Sequence, residues 1–139
     1  MQKLKSTISD VETKSLSVFS RNASQLSSLD LIQEISWQVR RVFFVSCAQG
    51  EDRGEHAHKE CIQAIVCTIG HVEIYCFDGK DERVFQLENL GELLIVPAGI
   101  WIKIRFHPGS SITVLASEKF DESDYIRDRE DYRKYRETK

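Results

Sequence analysis

The chain has 139 residues, 41% of them hydrophobic and 29% charged, with a net charge of −3, which is the make-up of one globular domain with its own core. The acidic balance argues against nucleic acid as a partner, because non-specific binding needs a basic surface. No apolar run approaches the ~18 residues that cross a bilayer, and no apolar segment follows the basic start Met1–Thr7, so neither a membrane partner nor a signal peptide is expected.

Cysteine usage points the same way. Cys47, Cys61, Cys67 and Cys76 form no C-x-x-C pair, and Cys61 and Cys67 sit inside apolar runs. Free thiols in a reducing cytoplasm are expected rather than a disulfide or zinc framework.

Residues 1–30 are polar and serine-rich. Within them Ser15–Ser20 alternates as a strand does, Arg21–Gln25 reads as a turn, and Leu26–Leu31 as a second short strand or an irregular edge. The pattern then sharpens. Val39–Cys47 is rich in β-branched and aromatic residues and ends in the turn cluster Ala48–Asp52. Next comes Arg53-Gly54-Glu55-His56-Ala57-His58-Lys59, and after it Cys61–Ile69, a buried-strand pattern that stops at Gly70.

His71–Phe77 alternates up to Asp78-Gly79, a hairpin signal, and Glu82–Leu87 is the return strand. Leu93–Val96 leads into Pro97-Ala98-Gly99. Ile100–Phe106 and Ser111–Ser117 are the last two strands. About eight strands with turns every 8–12 residues predict an all-β barrel or sandwich. The densely charged end opens with Asp121 or Ser123 as a helix cap, and from Asp128 onward it reads as a solvated tail. One domain over 1–139 is expected, with its core at about 15–120 and a charged segment at 121–139.

The histidine stretch carries the chemistry. On a strand, His56 and His58 point to one face, because side chains alternate with period two. Such a pair suits metal binding or proton transfer. His71 and His107, at strand ends, read as structural.

An H-x-H element early and Gly91 to Gly99 late resemble the cupins, double-sheet jelly rolls with a site between the sheets. For a metal site, that resemblance implies a carboxylate a few positions after H-x-H and a third histidine on a later strand; Gln63 and Ile102 stand there instead, and an amide is a poor ligand for a transition metal. A closer resemblance rests on Arg41-Val42-Phe43-Phe44, Arg53–Lys59 with Gln63, Val96–Trp101, Val114–Ser117 and Phe120–Arg127. Together these are similar to the sugar 3,4-ketoisomerases, the WxcM-like cupins of dTDP-sugar synthesis. The resemblance covers roughly residues 15–136.

It implies a cupin-type all-β jelly roll and a metal-free homodimer without a cofactor. It further implies movement of the ketone of a dTDP-linked 4-keto-6-deoxyhexose from C4 to C3, in deoxysugar and surface-polysaccharide biosynthesis. By resemblance, His56 and His58 are the catalytic pair, with His58 favoured for the proton on carbon. Imidazole, with an ordinary pKa near ~6.5, both takes and gives protons at neutral pH. Arg53 and Arg41 are candidates for the diphosphate. Lys59, Gln63, Phe43, Phe44, Trp101 and Tyr75 are further candidates for substrate contact.

Three motifs depart from the family pattern. Its N-terminal D-x-R-G-x-L is Arg21-Asn22-Ala23-Ser24-Gln25-Leu26, its R-V-Y-Y is Arg41-Val42-Phe43-Phe44, and its Trp-His is Trp101-Ile102. The departures leave open a changed substrate, replacement of the lost groups by others such as Tyr75 and Glu73, or a non-catalytic sugar-nucleotide binder. A metal-dependent cupin is the remaining alternative. An N-terminal strand left at an edge also calls for cover, and strand exchange with a second subunit supplies one.

Overall fold

The computed structural model describes residues 5–138, so the first four residues of the basic start and the last residue of the charged tail lie outside it. In chain order its strands are β1 (Glu12–Ser15), β2 (Val18–Arg21), β3 (Ser24–Ser27), β4 (Arg41–Cys47), β5 (Asp52–His58), β6 (Gln63–Ile69), β7 (His71–Phe77), β8 (Glu82–Glu88), β9 (Glu92–Val96), β10 (Trp101–Phe106), β11 (Ser110–Ala116) and β12 (Tyr125–Ile126). A one-turn helix α1 (Leu31–Glu34) precedes β4, and α2 (Arg129–Glu137) ends the chain. Two five-stranded sheets form, ordered β1-β9-β6-β11-β4 and β12-β5-β10-β7-β8, beside a separate β2-β3 hairpin. Every pairing between strands is antiparallel. This is the expected cupin-like double-sheet architecture, with two facing sheets rather than one closed barrel.

Alternation fills the space between the sheets. On β7, Val72, Ile74 and Cys76 are fully buried, while His71, Glu73 and Tyr75 between them point outward. Ile65, Cys67, Leu94, Ile102, Ile104, Ile112 and Val114 complete this core. Each such aliphatic side chain contributes about 1.5–3 kcal/mol by leaving water. The unbroken apolar run of β6 has its own reason. Its outer face is covered as well, because Ala64, Leu93 and Ile95 pack with Ile35, and Trp37 and Val39 lie against them.

The N-terminal expectations need correction. The strand expected at Ser15–Ser20 is two strands: β1 joins the first sheet along β9 and β2 leaves it. Leu26–Leu31 is not a strand beyond Ser27. Asp30 caps α1 there, accepting hydrogen bonds from the backbone N–H groups of Ile32 (3.0 Å) and Gln33 (3.4 Å). The turn expected at Arg21–Gln25 is the tip of the β2-β3 hairpin, where Asn22 adopts φ 55°.

The C-terminal segment also differs. Asp121 caps a short 3-10 turn, Glu122–Asp124, and it is Asp128 that caps α2, accepting from Asp131 N–H at 2.9 Å. Nor is the tail simply solvated. Arg133 pairs with Glu130 and Glu137 on its wet side. On the other side Tyr132 is buried against Ala57, Trp101 and Ile126. Its hydroxyl lies 2.9 and 2.7 Å from the carbonyl oxygens of Phe77 and Gly99. Amphipathic spacing thus clamps α2 onto the outer face of the second sheet. Among the described residues no helix is long and apolar enough to cross a membrane.

Candidate active site

A bulge in β5 creates the site's geometry. Ile102 on β10 stands opposite His56, yet Ile104 stands opposite Arg53, so one extra residue is accommodated between them. Gly54, at φ 75°, supplies the backbone conformation that this needs. Residues directly opposite on neighbouring strands share a face. Arg53 and His56 therefore both turn toward the space between the sheets, although three positions apart, where strict alternation would separate them.

The cavity there encloses about 400 Å³. Phe43, Gln63, Ile65, Ile102 and Val114 line it, with Phe44, Arg53, Tyr125 and Arg127 at its rim. His56 is on its wall. His58, two residues along, lies under Tyr125, whose strand pairs with the end of β5. The imidazole centroids of His56 and His58 are 4.9 Å apart at 90°, and the Tyr125 ring lies 4.9 and 4.3 Å from them.

The two imidazoles are held differently. His58 Nδ1 is 2.8 Å from Asp124 Oδ2, and Asp124 Oδ1 accepts the Glu60 backbone N–H at 2.6 Å. With the carboxylate accepting on both oxygens, the His58 proton sits on Nδ1 and Nε2 keeps its lone pair. The backbone carbonyl of His58 accepts from Gly99 N–H at 2.7 Å, fixing the strand end. Nε2 of His56 and Nε2 of His58 are both buried without a hydrogen-bond partner.

Burial is the main force on both titrations. It pushes His56 down to about 3, helped by His58 and Arg127. Burial lowers His58 also, opposed by its hydrogen bond to Asp124 and that carboxylate's charge. Two neutral imidazoles, each with a buried unsatisfied nitrogen, are equipped to move protons.

The other expected residues divide. Phe43, Phe44, Arg53 and Gln63 come together with His56 around the cavity. Arg41 sits near by, its guanidinium over the rings of Phe43 (4.9 Å) and Phe120 (5.5 Å), with Nε buried and unpartnered. Trp101 does not join them. It alternates with Ile102, so it packs on the outer face against Tyr132 while Ile102 meets the cavity. Tyr75 also faces outward, bonded to Glu82 at 2.5 Å, and Glu73 beside it contacts Gln86. Lys59 lies beyond the strand end, in a surface hollow with Glu60 and Glu118.

Asp124, Tyr125 and Arg127 are site residues that the sequence reading passed over. Their stretch is part of the family resemblance, but nothing in its spacing shows that β12 pairs with β5. Arg127 stacks over Tyr125 at 4.2 Å and pairs with Glu122 at 2.7 Å.

The fold has counterparts among known proteins. The family described as FdtA, WxcM-like, C-terminal, matches residues 9–137. A TDP-4-oxo-6-deoxy-alpha-D-glucose-3,4-oxoisomerase of Aneurinibacillus thermoaerophilus is 32% identical over 122 residues, covering 84% of this chain and 88% of that protein. The crystal structure of a 3,4-ketoisomerase from Helicobacter canadensis superposes with a TM-score of 0.86 at 27% identity, over 93% of this chain and 98% of that one. QdtA, a sugar 3,4-ketoisomerase from Thermoanaerobacterium thermosaccharolyticum solved in complex with TDP, gives 0.85 at 25%, over 93% and 96%.

Proposed function

This chain belongs to the WxcM-like FdtA family, and we propose that it is a 3,4-ketoisomerase of a TDP-linked 4-keto-6-deoxyhexose. The observation that carries the reading is the pair of buried, unpartnered Nε2 atoms of His56 and His58, one of them oriented by Asp124. A relative at 32% identity that bears this activity supports it.

Moving a ketone from C4 to C3 is a redistribution of hydrogen. His58 Nε2 takes the proton from C3, and the electrons flow to O4, giving an enediolate. The same nitrogen returns the proton to C4 as C3=O forms. The hydrogen on O3 must meanwhile reach O4, and neutral His56 is placed to carry it. Asp124 stabilises the imidazolium that His58 becomes after the first step. Arg53 and Arg127 at the rim, with Arg41 near by, supply the cations that a diphosphate needs. No step requires a cofactor.

The chain acts as a homodimer in this reading. The β2-β3 hairpin stands apart from both sheets with Phe19 and Leu26 exposed, and an isolated two-stranded hairpin is marginal alone. A second subunit covers it. Four buried cysteines, none of them in a disulfide, and a sugar-nucleotide substrate fit the cytoplasm and deoxysugar synthesis.

The test is incubation with dTDP-4-keto-6-deoxyglucose, followed by NMR for the 3-keto product. Tight binding with no turnover would sink the proposal. It would favour a second reading, a sugar-nucleotide binder, for which Ile102 on the cavity wall in place of the family's histidine is the specific observation.

A further inference from the structure

Behind the nitrogen that His58 offers for proton transfer lies a second set of donor atoms. A ring nitrogen of His58, Cys61 Sγ and an Asp124 carboxylate oxygen all lie within 4.8 Å of one another, and it is Nδ1 that meets Asp124, at 2.8 Å. They come from the end of β5, the turn after it and the 3-10 turn before β12, so tertiary folding alone assembles them. His58 and Cys61 are 5% and 2% exposed. One imidazole, one thiol and one carboxylate are a donor set that zinc takes.

The geometry is within reach. Tetrahedral zinc holds nitrogen and oxygen at about 2.0–2.2 Å and sulfur at about 2.3 Å, which separates neighbouring ligand atoms by about 3.3–3.7 Å. The His58–Asp124 pair, now 2.8 Å apart, must open by about half an ångström, and the sulfur must close by about one at most. Charge also balances, because a thiolate, a carboxylate and a divalent cation sum to zero in this buried place. An approach exists from outside. A hollow of about 390 Å³, lined by the acids Glu60, Glu118 and Asp121 together with Lys59 and Lys119, reaches Asp124.

We propose that a zinc-class divalent cation binds His58 Nδ1, Cys61 Sγ and Asp124, and that binding switches the imidazole to its Nε2–H tautomer. One proton leaves per ion, that of the Cys61 thiol. The Nδ1 proton is replaced by one on Nε2, so the imidazole stays neutral. The consequence for turnover rests on His58 Nε2 being the base of the proposed isomerisation, because a nitrogen that already carries a proton accepts none. This site differs from one inside the jelly roll, where Gln63 and Ile102 offer no suitable ligand.

Titration of the full chain with Co²⁺ tests the binding directly. The expected result is a near-ultraviolet thiolate-to-cobalt band that saturates at about one equivalent and is displaced by Zn²⁺. Cys61→Ala loses the band, and Cys61→Ser, closer in volume, guards against a folding fault. In ¹⁵N–¹H NMR the His58 proton moves from Nδ1 to Nε2 as Zn²⁺ is added. Turnover falls about tenfold or more and returns with chelator, whereas Cys61→Ala keeps its turnover in Zn²⁺. Absence of the band at one equivalent, or its persistence in both Cys61 variants, overturns the site. A zinc-saturated chain that keeps its Nδ1 proton overturns the switch. A metal-free chain that binds Co²⁺ through Cys61 yet never turns over the keto-sugar overturns the isomerase reading and leaves the site standing.

Discussion

Two pairs of histidines in this molecule lie comparably close in space and differ in everything that matters for chemistry. His56 and His58 face each other at 4.9 Å beneath Tyr125, with both Nε2 atoms buried and unpartnered. His71 and His107 stack in parallel at 4.4 Å on the outer face of the second sheet. There His71 Nε2 is already bonded to Gln86 at 2.5 Å, and His107 Nε2 lies 4.0 Å from Glu73 with its side chain about half exposed. Closeness of imidazoles is therefore not the mark of a site. An unmet nitrogen kept from water is, because an unsatisfied buried polar group costs roughly 1–3 kcal/mol and persists where it has another use.

The sharpest way to break the contrast is His58→Asn. It is expected to lower kcat on the keto-sugar by about 10³-fold while nucleotide binding, followed by calorimetry, persists. Unchanged turnover would place the chemistry elsewhere. Asp124→Asn comes next. An amide N–H facing Nδ1 favours the wrong tautomer, so a fall of about 10²-fold in kcat with little change in KM is expected, read from steady-state kinetics.

A smaller effect is on stability. His56 binds its proton near pH 3 in the folded chain and near 6.5 when unfolded. Between those values the unfolded chain holds a proton that the folded chain refuses, so stability is lost as pH falls through this window. About 1–2 kcal/mol should disappear between pH 7 and pH 5. Urea denaturation at both pH values measures it, and His56→Gln should flatten the difference. The smallest expected effect belongs to the other pair. His107→Asn should leave turnover unchanged and shift stability by no more than about 0.5 kcal/mol, as urea denaturation of the variant will show. A strong loss of activity there would erase the distinction.

Much of this was legible in the residues. Strands β4, β7, β8 and β11 follow from alternation and turn chemistry, because one face of each is buried and the period is two, whereas β6 and β9 are buried on both faces and read as short apolar runs. The shared face of His56 and His58 follows from the same rule. So does the inward turn of Ile102, although that rule, carried through, sends Trp101 outward. The family resemblance rests on local motifs and reached the activity that a relative carries. Harder to read were Ser15–Leu31, where weakly apolar, serine-rich sequence leaves register and element type to tertiary neighbours.

What only the tertiary structure decided is how distant pieces complete the site. A single glycine bulge rotates Arg53 onto the face of His56, and a bulge depends on the partner strand's register. The pairing of β12 with β5 carries Asp124 and Tyr125 across 66 residues of sequence to His58. Local composition determined where strands form, since that depends on neighbours along the chain. Which imidazole gains a carboxylate, and which loses its water, depends on contacts that no periodicity records.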